Sequence, residues 1–173
     1  MIPLFLGLTL ANLLTLCVTG ALGYLGTTSV PARSWHTLAG ALATLVACGV
    51  HCVVFTYFVA TAKWVQHAVA TRKLDPNFVT PTRSFRRQAF PAALAAMAIT
   101  FAAAILGAAR DNFMVSRDVH HLTAVAAFAV NILVAIIEYK AIARNGRLID
   151  SILVAITEQE QRTGIVSGEA QVI

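Results

Sequence analysis

The chain has 173 residues, 58% of them hydrophobic and only 12% charged, with a mean hydropathy of +0.73 and a formal net charge of +5. That composition excludes a soluble globular domain and predicts an all-α integral membrane protein. The positive charges cluster between apolar stretches, which reads as a topology signal and excludes nucleic acid as a partner.

A bilayer core about 30 Å thick needs roughly 20 apolar residues per helix, and four stretches qualify: 3–26, 35–69, 89–109 and 119–143. Together they predict a four-transmembrane-helix bundle occupying 1–144. No Lys or Arg precedes the first stretch and no small-residue cleavage site closes it, so it reads as a retained helix and not a signal peptide.

The second stretch begins near Trp35, an outer-interface residue, with Tyr57 or Trp64 marking the inner interface. From Trp35 to His67 is about 48 Å of helix, longer than the hydrocarbon, so His67 is expected among the inner headgroups as an ordinary solvated histidine. Its polar stripe is His36, Gly40, Thr44, Ala47 and His51, spaced by three or four residues. Cys17, Cys48 and Cys52 all fall inside predicted spans, so no disulfide framework is expected. Cys48 and Cys52 flank His51 at one turn's spacing, which suits either a soft metal such as Cu(I) or plain packing.

The next segment, TRKLDPNFVTPTRSFRRQAFP, is read as a loop in water that ends where the third helix begins at Ala89. Arg72, Lys73, Arg83, Arg86 and Arg87 lie in it, and Lys140, Arg144, Arg147 and Arg162 follow the fourth stretch. The positive-inside rule then places both termini and this loop in the cytoplasm of a bacterial-type inner (plasma) membrane, with anionic lipid as a contact.

The fourth stretch opens on His120-His121. On a helical wheel His120, Ala124, Ala127, Asn131, Val134 and Glu138 share one face, from which His121 departs by about 100°. Asn145-Gly146 is expected to break or bend the helix, leaving 145–162 as a short amphipathic cytoplasmic helix and 163–173 as a flexible tail. The two halves read as approximate copies of one helical hairpin, lying parallel: Leu25-Gly26 then His36, and Leu106-Gly107 then His120-His121.

If the two stripes face each other, two polar layers result. The outer layer is His36 and His120, with His121 as third member or substitute. The inner layer is His51, Asn131 and Glu138.

Opposed imidazoles can supply both axial ligands of a haem b iron; with His121 they can instead hold copper or another metal. Histidines at helix starts that merely face water are the plain alternative. An ionisable Glu138 inside a span could exchange a proton with His51, hold a cation with it, or fasten two helices. Lys140 is expected to snorkel, and Tyr57 and Tyr139 to join the inner aromatic belt or approach a quinone or haem edge.

The arrangement resembles membrane b-type cytochromes in architecture, a helical bundle with histidines on neighbouring helices. Members with two stacked haems repeat the ligand about four turns farther along both helices. Here His51 follows His36 by 15 residues, but Ala135 stands where the fourth helix would need its second histidine.

Three functions therefore follow from the sequence: a haem-b protein in electron transfer or in a larger membrane redox complex, a copper-binding accessory protein, or a cofactor-free assembly subunit. In the last case the small-residue faces serve homo-oligomers or other membrane proteins, and bulky changes at Gly40 or Ala47 should disrupt them. No phosphate loop or nucleophile elbow is present, so no catalytic residue is assigned.

Overall fold

A computed structural model describes residues 1–25, 30–111, 114–162 and 164. The described chain is helical: α1 (Ile2–Leu25), α2 (Val30–Arg72), a 3-10 turn (Pro76–Val79), α3 (Thr80–Asp111) and α4 (Arg117–Arg162). All four α-helices are long and apolar enough to cross a membrane. Their outward faces carry exposed Leu10, Leu14, Leu45, Ile105 and Leu122, the reverse of a soluble bundle and the expected surface toward acyl chains.

Going round the bundle, α2 packs against α1 and α3, and α4 against α3 and α1. The histidine-bearing helices α2 and α4 are thus diagonal, not neighbouring. They meet chiefly through side chains that project into the interior.

Two expected boundaries are corrected. The third helix starts at Thr80, not Ala89, and carries Pro91 in its interior. Charge limits how deep a residue sits in lipid but does not stop a helix, and Thr82, Phe85, Ala89, Ala93 and Ala96 form a buried stripe at helical spacing.

The real connection is short. Lys73 adopts φ 52° and the Leu74 N–H donates to the Val69 carbonyl at 3.1 Å, closing α2 with a Schellman-type cap. Asp75 then caps the following turn by accepting from the Asn77 N–H at 2.9 Å.

The second correction concerns Asn145-Gly146, where α4 does not break. The Asn145 amide reaches across the bundle, donating to Tyr57 Oη and Thr61 Oγ1 at 3.0 Å each, instead of turning back on its own backbone. The helix continues to Arg162, and Ile152 is buried with Val65, Ala68 and Val69 of α2. Residues 145–162 are therefore the C-terminal part of one continuous helix about 69 Å long, not a separate helical element. The expected tail, 163–173, lies outside the described residues apart from Gly164.

Buried positions recur at a shift of 84 residues. Ala43, Ala47, Val50, Val54 and Phe58 of α2 correspond to Ala127, Asn131, Val134, Glu138 and Ile142 of α4; Phe5 and Asn12 of α1 correspond to Ala89 and Ala96 of α3. His36 and His120 obey the same shift.

Candidate functional site: two polar layers across the diagonal

The outer layer is assembled from all four helices. His36 of α2 and His120 of α4 lie opposite each other, ring centroids 6.1 Å apart and ring planes at 73°. Each imidazole rests against a glycine of its hairpin partner. A Cβ built on Gly23 would meet His36 Cε1 at 2.9 Å, and one on Gly107 would meet His120 Cε1 at 2.9 Å. Only a residue without a side chain lets these helices approach. Gly23 and Gly107 also stand 84 residues apart, so the counterpart of Gly107 is Gly23; Gly26, expected in that part, lies outside the described residues.

His36 Nδ1 lies 2.9 Å from the Thr19 carbonyl oxygen. A carbonyl can only accept, so Nδ1 carries a proton, and the neutral tautomer compatible with this bond is the one whose lone pair is on Nε2. Metal-ligating histidines are commonly held in this way, the far nitrogen donating to a fixed acceptor.

His121 does not join the pair. It is exposed and its Nε2 lies 3.0 Å from the Tyr24 hydroxyl, so the roughly 100° turn separating it from His120 sends it toward α1. Among the described residues no three His, Cys, Asp or Glu side chains gather closely enough to hold a metal ion. The trio His36, His120 and His121 expected for copper is therefore not brought together. Cys48 and Cys52 are free thiols, and Cys52 is exposed.

Inward of the histidines the helices bring small groups toward the bundle interior. Ala43, Thr44, Ala47 and Ala127 are buried there, while Gly23, His36, Gly40, Gly107, His120 and Ala124 are only half-buried. All the largest fully buried side chains lie at the level of Asn131 or farther in.

That level is a polar floor. Asn12 Nδ2 donates to Asn131 Oδ1 at 2.9 Å, and Asn131 Nδ2 donates to Thr100 Oγ1 at 3.0 Å and to the Ala127 carbonyl at 2.8 Å. Neither Asn12 nor Thr100 was singled out from sequence. A lone Asn in a leucine-rich span was the available signal, since an amide in hydrocarbon needs a partner.

No family model, curated protein or solved structure matches this chain. Its chemistry rests on the geometry alone.

About two turns farther along α4 lies the expected His51–Glu138 link, Nδ1 to Oε1 at 2.8 Å, with 2% and 1% side-chain exposure. Asn131 is expected in the same layer but belongs to the floor above. His51 Nε2 finds no hydrogen-bond partner among the described residues. Tyr57, expected at the aromatic belt, instead turns its hydroxyl to Asn145, whereas Tyr139 and Lys140 are exposed. The polar groups of α4 thus form a column of His120, Asn131, Glu138 and Asn145, each partnered across the bundle axis or across a helix interface.

Proposed function

We propose that this chain is a b-type haem protein of a bacterial-type inner membrane, acting in electron transfer or as a subunit of a redox complex. Axial ligation would fall to His36 and His120. The observation that carries this reading is the outer layer: two imidazoles from diagonal helices, 6.1 Å apart at their centroids, over an interior furnished only with small side chains. Two metal–nitrogen bonds of about 2 Å plus the two ring radii give roughly the same separation. A haem iron needs only two protein nitrogens, because the macrocycle supplies the other four, whereas a protein-built copper or zinc site needs three or four. Two are what the outer layer offers.

Haem, when bound, would supply one-electron chemistry. The chain's own part is positional. The Thr19 carbonyl fixes the tautomer of His36; Gly23 and Gly107 set the approach of the imidazoles; the Asn12–Asn131–Thr100 floor bounds the chamber. With His36 and His120 near one end of α2 and α4, a redox partner would approach from that end, the outer side in this reading. His51 and Glu138 lie deeper, where they fasten the diagonal helices or handle a proton.

The 84-residue recurrence supports duplication of an ancestral helical hairpin, giving two parallel copies related by an axis along the membrane normal. With the basic residues gathered at the inner end, both termini would be cytoplasmic.

The test is an oxidised and dithionite-reduced visible spectrum of protein purified from membranes in mild detergent with haem supplied. A Soret band with sharp reduced α and β bands, near one haem per chain and lost in His36→Ala and His120→Ala, is the expected result. A featureless spectrum overturns the haem reading. The cofactor-free packing subunit then gains ground, a reading favoured by the direct edge contact of the two rings.

A further inference from the structure

The inner end of α3 carries a second site. Arg83, Arg86 and Arg87, spaced by three and four residues on one side of the helix, line an open groove of about 360 Å³ with Phe90 and Pro91. Neither ion pair among the described residues involves any of these arginines. Arg86 Nε is buried and has no hydrogen-bond partner among the described residues, an expensive arrangement for a charged donor. The other end of the groove is apolar and held in place: Phe90 stacks edge-on against Phe55 of α2, centroids 4.7 Å apart.

Depth identifies the environment. Gln88, next to Arg87, accepts from Arg144 of α4 at 3.4 Å. Thr100 is tied to Asn131 at the polar floor, and Arg87 lies about 20 Å inward from it along α3. The histidine pair lies about 16 Å outward from the same floor along α4. The groove is therefore about 36 Å from the histidines, just beyond one hydrocarbon thickness, at the depth of the inner headgroups.

We infer that this groove binds one anionic glycerophospholipid of the inner leaflet. Its phosphodiester lies among the guanidinium groups of Arg83, Arg86 and Arg87, and the first part of an acyl chain lies on Phe90 and Pro91. Guanidinium forks suit phosphate oxygens, and Arg86 Nε gains the acceptor it lacks. Basic pockets at the cytoplasmic ends of membrane helices recognise such headgroups. The inference rests on the membrane-spanning reading and is independent of haem.

The test uses the full-length protein reconstituted into phosphatidylcholine vesicles doped with phosphatidylglycerol, then extracted into mild detergent for native mass spectrometry. The expected result is preferential retention of one phosphatidylglycerol per chain. The triple change Arg83→Gln, Arg86→Gln and Arg87→Gln should lower that retention roughly tenfold or more. An equal loss of charge elsewhere, Lys73→Gln, Arg147→Gln and Arg162→Gln, should leave it within about twofold. Equal losses in both triples, or no preference in the unmodified protein, overturn the site. Displacement by millimolar inorganic phosphate overturns the lipid assignment in favour of a free anion.

If the triple variant loses its helical circular dichroism, Arg86→Lys keeps the charge and removes Nε; retention unchanged in that variant also overturns the proposal. Co-flotation of the protein with the vesicles reports membrane insertion separately, so a failure to enter lipid is not confused with an empty groove.

Discussion

The outer and inner halves of the bundle solve the same packing problem differently. Inward of Asn131 the interior is filled by the chain itself: Phe5, Val54, Phe58 and Ile142 are buried there, and the His51–Glu138 pair is sealed within 2% exposure. Outward of Asn131 the fully buried positions among the described residues are the small Ala43, Thr44, Ala47 and Ala127, and the glycines and histidines above them are half-buried. Close-packed interiors leave few voids, so a half that brings no large side chain inward either draws its helices together or receives something else. The two large polar side chains it does hold, His36 and His120, suit the second alternative.

Six single substitutions test this contrast, beginning with the largest expected effect. His36→Ala and His120→Ala should each abolish the reduced visible spectrum while leaving far-UV circular dichroism intact; haem retained at full stoichiometry in both would end the ligand assignment. Glu138→Ala should act the other way. Removing one member of a buried pair strands its partner, and the cost of about 3–5 kcal/mol in water falls toward 1–3 in a bilayer. A lowered unfolding midpoint in an SDS titration, with haem content unchanged, is expected; lost haem with unchanged stability would contradict the division into halves.

Smaller effects follow at the glycines. Gly23→Ala or Gly107→Ala brings a Cβ to 2.9 Å from an imidazole, so each ring must shift. The expected outcome is about 1–2 kcal/mol of destabilisation with an altered Soret position. An unaltered spectrum would show that ring placement is not critical. Gly40→Ala should be nearly silent or gain about 0.5 kcal/mol from helix propensity, since its Cβ would meet Thr19 at an ordinary 3.7 Å. The disruption expected from sequence concerned bulky changes at Gly40 and is not addressed by alanine; a large loss in Gly40→Ala would show that the outer half closes more tightly than its geometry indicates.

Periodicity made the helices and their inward faces legible. The α4 stripe from Ala127 to Glu138 and the α2 stripe from Thr44 to His51 are both buried, because spacings of three and four have one meaning in a helix. What could not be read depended on information outside a single helix. Asn12 is one polar residue among leucines, and its importance appears only when Asn131 is opposite it. Asn145-Gly146 looks like a stop signal until Tyr57 and Thr61 are placed within reach of the amide. Arg83 to Arg87 reads as loop when charge marks the helix boundary, whereas Thr82, Phe85 and Ala89 at helical spacing form a buried face. The haem ligands are a chemical proposal, whereas the meeting of His36 with His120 and of His51 with Glu138 is geometry.

The cross-links have a direction in time. Tyr24–His121, His36–His120, Asn12–Asn131, His51–Glu138, Tyr57–Asn145 and Arg72–Glu160 each join the first hairpin to the second. In a membrane-spanning chain the first hairpin, made first, would enter the bilayer with Asn12 and His51 lacking these partners, and each would wait for a residue about 90 to 120 positions later in the chain. The second hairpin arrives with the complementary set. The first hairpin alone would thus be an incomplete solute in a bilayer, and the arrival of α4 would both complete the fold and bring His120 to His36.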